Sequence, residues 1–108
     1  MIKVTSEELE VMMSNGEKIL LDFYAEWCGP CKGLIPRLEN LESKYENIKF
    51  VKLNVDENQS YAVNKGVRSI PTVMFLNGHS VINTSTGTQS DNFYMDQLTE
   101  LNKWVIIW

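Results

Sequence analysis

The chain is 108 residues long, 44% hydrophobic and 22% charged, the size and make-up of one compact domain, residues 1–108, that buries a core without covalent help. Its net charge of -4 at pH 7 excludes a large basic footprint for nucleic acid or an anionic membrane. The longest wholly apolar run, Trp104 to Trp108, is far too short to cross a bilayer.

The first residues, Met1 to Glu7, turn polar at once and lack the apolar core of a signal peptide, so a cytoplasmic location is expected. Thr5 or Ser6 caps a first helix. Glu8 stands three residues after Thr5 as in a capping box, and Leu9, Met12 and Met13 form the apolar face. Ser14, Asn15 and Gly16 end it. Ile19 to Tyr24 is nearly continuous apolar sequence, which suits a central strand covered on both faces, with Asp22 as the anomaly.

After Cys28-Gly29-Pro30-Cys31, the spacing of Leu34, Leu38, Leu41 and Tyr45 predicts a helix from the cysteines to about Tyr45, kinked at Pro36. Ile48 to Val55 reads as a strand with Val51, Leu53 and Val55 on one face and Phe50, Lys52 and Asn54 on the other. Asn58 caps a short helix through Asn64, which Gly66 closes with a left-handed residue. Thr72 to Leu76 and Ser80 to Thr86 are strands of a hairpin turned by Asn77-Gly78, both of which tolerate positive φ. Ser90 caps a last helix with Tyr94, Leu98, Leu101 and Val105 on one stripe, and the aromatic Trp104 to Trp108 tail is read as its packing. Strands separated by helices, then a hairpin, give a mixed sheet between helical layers, an α/β three-layer sandwich.

Two cysteines three positions apart close too small a loop to act as a stabilising staple. At the start of a helix they lie one turn apart, about 5 to 6 Å between Cα atoms, within reach of a reversible disulfide. Cys28, at the open end, meets unpaired N–H groups and the positive pole of the helix, which favour a thiolate, so it reads as the nucleophile. Cys31, one turn inside, reads as the resolving thiol. Pro30 suits a first helical turn, and Gly29 lets a substrate chain approach. Lys32 either aids the thiolate or is an ordinary solvated lysine. With two cysteines and only His79 as histidine, the chain lacks the donors for a closed zinc or iron–sulfur site, and Lys32 stands where haem attachment needs histidine. No metal is expected.

The run from Asp22 through Phe23, Tyr24, Ala25, Glu26, Trp27, Cys28, Gly29, Pro30 and Cys31 to Lys32 closely resembles the thioredoxin family. Lys52 to Asp56, Ile70-Pro71-Thr72, Asn77-Gly78 and Gly87 follow in family order, so the resemblance covers the whole chain. It implies the thioredoxin fold and a cis bond before Pro71, which lies beside the cysteines, with the Ile70 backbone pairing to a substrate strand. It also implies a flat apolar docking patch of Trp27, Gly29, Pro30, Ile70, Pro71 and Gly87 around Cys28. Trp27 taken alone reads equally well as core. Asp22 and Lys52 carry over as a buried carboxylate and its neighbouring lysine beneath the cysteines. A carboxyl group in an apolar strand has a raised pKa and is fitted to take the Cys31 proton; the alternative is a structural Asp–Lys pair. The stretch from Pro71 to Asn77 is one residue shorter than in many members and Gly78 to Gly87 longer, so a register shift in the hairpin is expected.

The function so implied is reduction of disulfides in protein substrates, with the pair re-reduced by a thioredoxin reductase, no bound cofactor and a monomeric chain. The alternative is a non-catalytic binding subunit that docks a partner through the apolar patch.

Overall fold

A computed structural model describes residues 1–104. In chain order these form β1 (Ile2–Lys3), α1 (Ser6–Ser14), β2 (Lys18–Tyr24), α2 (Gly29–Glu42), β3 (Ile48–Asn54), α3 (Gln59–Asn64), β4 (Thr72–Asn77), β5 (Ser80–Thr86) and α4 (Asp91–Asn102). The strands make one sheet in the order β1-β3-β2-β4-β5. β3 runs parallel to β1 and β2, whereas β4 is antiparallel to both β2 and β5. A parallel β2–β3 pair needs a crossover, and α2 supplies it.

β2 is the middle strand, which is why its sequence hardly alternates. Ile19, Leu21 and Phe23 pack on one face with Leu9 and Met13 of α1, Ala62 of α3, and Val51 and Leu53 of β3. Leu20 packs on the other face with Leu34, Leu38 and Leu41 of α2 and Tyr94, Leu98 and Leu101 of α4. Each leucine so enclosed contributes roughly 1.5–3 kcal/mol of apolar burial.

Capping fixes where the helices start. The Thr5 hydroxyl accepts from the Glu8 amide at 3.1 Å while the Glu8 carboxylate accepts from the Thr5 amide at 2.9 Å, the reciprocal capping box. Ser90 accepts from the Phe93 amide at 3.1 Å. Arg37 of α2 donates to the Asp91 carboxylate and to the Gln89 carbonyl, tying α2 to the start of α4.

Several local expectations change. β1 is an edge strand that pairs Ile2 with Val51 and Lys3 with Lys52; two residues are too few to leave a hydropathy period. α2 continues through Pro36 but ends at Glu42, short of Tyr45. Asn58 precedes α3 without capping it through its side chain. Its amide group instead donates to the nearby Asn54 carbonyl at 2.9 Å and accepts from the Ser6 amide at 3.2 Å, a bond across 52 positions that no local rule anticipates. The hairpin turn is Gly78-His79, because Asn77 still pairs with Ser80. Gly78 has φ 59 and, among the described residues, no non-glycine has positive φ, the pattern of a type II′ turn. A bulge interrupts the hairpin: Phe75 faces Asn83 but Leu76 faces Val81, leaving Ile82 unpaired. Tyr94, Leu98 and Leu101 form the expected stripe of α4, Trp104 is half exposed, and Val105 to Trp108 lie outside the described residues.

Candidate active site

β2 ends at Tyr24, and the chain turns through Ala25, Glu26 and Trp27 into α2. The Cys28 amide donates to the Ala25 carbonyl at 3.2 Å and closes that turn. Cys28 is itself the N-cap of α2, with extended backbone, and its Sγ accepts from the Cys31 amide at 3.2 Å. Pro30 falls in the first turn, where a missing N–H leaves no bond unmade. The two cysteines are joined as a disulfide with their Cα atoms 5.3 Å apart. They pack with Tyr24 and Ala25, and with Ile35, Val55 and Ile70 at the margin. Cys28 keeps 4% of its surface exposed and Cys31 none, so the order of access is the expected one, but Cys28 shows an edge and not an open face.

That edge opens into a groove of about 630 Å³ lined by Trp27, Cys28, Gly29, Pro30 and Ile70 on the cysteine side. The Ile70–Pro71 bond is cis, as the resemblance implies. Pro71 is buried and does not line the groove, nor does Gly87, whose amide donates to the Pro71 carbonyl at 2.8 Å. Gly87 has φ 78, a conformation that excludes most side chains there. A side chain at Gly29 would meet no atom within 4 Å, so this wall is open to an approaching chain.

Trp27 is 70% exposed, which removes the core reading, and its indole Nε1 donates to Asp56 Oδ2 at 2.8 Å. The opposite wall comes from the end of β3, from α3 and from the loop after it: Val55, Asp56, Ala62, Val63, Val67 and Arg68. Sequence reading missed this wall. Val63, 71% exposed, has no partner in any period, and only the crossover from β3 to β4 brings it opposite the cysteines.

Asp22 lies two residues before Tyr24 on the same face of β2 and is wholly buried. Neither of its carboxylate oxygens has a hydrogen-bond partner among the described residues. Burial pushes its pKa up to about 7, against the opposing pull of the Lys52 charge. Lys52 is the register partner of Asp22 across β2 and β3, yet the two form no ion pair; the ammonium lies 5.3 Å from the centre of the Tyr24 ring. Among the described residues no three His, Cys, Asp or Glu side chains converge as metal ligands would.

A mixed sheet between helical layers, with a disulfide closing the first turn of the helix that follows its central strand, defines the class of small thiol-disulfide oxidoreductases. The family model Thioredoxin matches residues 1–100. The chain is 44% identical over 87 residues to Thioredoxin of Bacillus subtilis (strain 168), a match covering 80% of this chain and 83% of that one. It is 37% identical over 83 residues to Thioredoxin-T of Drosophila melanogaster, covering 76% of this chain but only 53% of that longer protein. In structure it is similar to a mutant thioredoxin from Halobacterium salinarum NRC-1, with a TM-score of 0.85, 30% identity, and coverage of 97% and 95% of the two chains. This chain belongs to the thioredoxin family. It is a thiol-disulfide oxidoreductase, and Cys28 and Cys31 are its disulfide-forming pair.

Proposed function

We propose that the protein reduces disulfide bonds in other proteins, that a thioredoxin reductase returns it to the dithiol, and that it does so as a cytoplasmic monomer serving electron transport. The observation that carries this reading is the asymmetry of the disulfide: Cys28 has an edge on the groove and Cys31 is sealed beneath it. Among the described residues no helix is long and apolar enough to cross a membrane, which is compatible with the location.

In the dithiol form the Cys31 amide that donates to Cys28 Sγ would donate to a thiolate, and the N-terminus of α2 adds its positive pole. The Cys28 thiolate attacks one sulfur of the substrate disulfide; a mixed disulfide forms, the substrate bond breaks, and the departing thiolate takes a proton from solvent. Cys31 then gives its proton to Asp22, directly or through water, and attacks Cys28 Sγ. The Cys28–Cys31 bond forms and the second substrate sulfur leaves as a thiolate, protonated in turn. Two electrons and two protons have passed to the substrate, and the reductase replaces them.

With a pKa near 7, Asp22 is present as base and acid in comparable amounts at neutral pH, the condition for accepting and returning a proton. Lys52 tunes that balance through its charge. Trp27, Gly29, Pro30 and Ile70 form the surface that receives the substrate, with Pro71 and Gly87 shaping it from behind.

Reduction of insulin by dithiothreitol or by a thioredoxin reductase tests the reading. Cys28→Ser is expected to abolish the catalysed rate, and Cys31→Ser to accumulate mixed disulfides with substrate. A Cys28→Ser protein that still accelerates insulin reduction sinks it.

A further inference from the structure

Trp27, on the cysteine-side wall, is 70% exposed, and packing does not explain its position. Its only side-chain hydrogen bond among the described residues is the one to Asp56 Oδ2 at 2.8 Å. Asp56 is exposed too, so the bond holds Trp27 still only if Asp56 is itself held.

The holding comes from the interior. Asn54, the last residue of β3 and 4% exposed, turns its Oδ1 to accept from the Asp56 amide at 2.8 Å and from the Glu57 amide at 3.2 Å. The Asn54 carbonyl accepts from Asn58 Nδ2 at 2.9 Å, and Asn58 Oδ1 accepts from the Ser6 amide at 3.2 Å, which anchors the loop to the start of α1. A continuous chain of hydrogen bonds therefore runs from the first turn of α1, through Asn58 and Asn54, to Asp56 and the exposed indole beside Cys28. Asp56 and Glu57 are exposed, so water would serve their amides in an unbraced loop; the bonds to the buried Asn54 Oδ1 satisfy that acceptor and in doing so fix the path of the loop.

We propose that Asn54 is a positioning residue for substrate docking: by fixing the Asp56 backbone it fixes the Trp27 indole as a preformed wall of the groove. The ordering of that wall is then complete before the substrate arrives, which strengthens docking without touching the sulfur chemistry. The proposal rests on the reading that protein disulfides dock in this groove. Asn54 reaches the reacting sulfurs only through Asp56 and Trp27.

The test uses the full chain with Trp104→Phe and Trp108→Phe, which leaves Trp27 as the one tryptophan. Asn54→Ala is expected to lower the fluorescence anisotropy of Trp27 and to raise its quenching by acrylamide. In insulin reduction it should raise KM by about fivefold, the scale of one lost hydrogen bond, with kcat little changed. Asn54→Asp, whose carboxylate still accepts from both amides, should restore anisotropy and KM. Asp56→Ala, at an exposed site that does not threaten folding, should reproduce the Asn54→Ala effects, and the double variant should add nothing to either single one. Unchanged anisotropy in Asn54→Ala, or effects of the two substitutions that simply add, overturns the proposal. So does a loosened indole with KM unmoved. If Asn54→Ala fails to fold, Asp56→Ala decides: unchanged anisotropy there overturns the proposal, and loss of anisotropy with raised KM supports it. The anisotropy is read without substrate, so failure of the parent protein to reduce insulin would count against the functional reading alone.

Discussion

The two faces of β2 are equally buried and built on opposite terms. Ile19, Leu21 and Phe23 face α1 and α3 in a wholly apolar cluster, with at most 1% of any of them exposed. Leu20, Asp22 and Tyr24 face the α2 side, and there the middle residue is a carboxyl group whose oxygens find no hydrogen-bond partner among the described residues. A buried acid without hydrogen bonds is a standing liability to folding. One face of the strand is apolar throughout, and the other carries a buried carboxyl group two residues before Tyr24 of the cysteine cluster.

The comparison breaks most visibly with pH. The folded-state pKa of Asp22, about 7, lies above its ordinary value of 3.8, so the folded protein holds this proton more tightly than the unfolded chain. Its contribution to stability is complete below the unfolded pKa, declines as pH rises, and is gone once pH passes the folded value. Over that window the oxidised protein should lose about 4 kcal/mol from this group, and Asp22→Asn should remove the slope. Urea unfolding across the window measures both, and an unaltered slope in Asp22→Asn would contradict the assignment.

Next in size is the apolar face. Leu21→Ala should cost about 3 kcal/mol at every pH, leaving a cavity among closely packed neighbours, while insulin reduction per folded molecule stays near that of the parent. A pH-dependent loss would mean the two faces are not independent. The start of α1, which covers the apolar face, should be worth less: Thr5→Ala removes the cap and its reciprocal bond, at about 1 kcal/mol in the same unfolding assay. The smallest effect sharpens the other face. Lys52 pulls the Asp22 pKa down, so Lys52→Met should move the Asp22 midpoint upward, by less than about one pH unit. The pH profile of mixed-disulfide release should shift in the same direction if Asp22 takes the Cys31 proton.

Much of this was legible before any coordinates. The caps at Thr5 and Ser90 and the cysteines at the head of α2 follow from residue type and spacing, because each depends on neighbours within a few positions; the run of β2 and the family resemblance point to a buried Asp22, whose raised pKa the packed helices then produce. The departures come from pairings that the assembled sheet and its neighbours impose. Local rules make Asn58 a cap, yet its side chain is drawn to Ser6, 52 positions away, and to the Asn54 carbonyl. The Asn77-Gly78 pair suits a turn, but pairing with Ser80 keeps Asn77 in the strand. β1 exists only because β3 offers it an edge.

What local chemistry settles is therefore the kind of element and the kind of reaction: alternation, caps and a thiol pair at a helix start are short-range properties that any observer of the chain can compute. What awaited the assembled molecule is the docking surface. Its second wall, Val63, Val67 and Arg68, and the bracing of Trp27 through Asp56 arise from residues far apart in the chain. The β2–β3 register, which pairs Tyr24 with Asn54, sets the Trp27 and Asp56 loops side by side, and α3 and its following loop complete the groove; no period or motif along the chain encodes a distance between two separate elements.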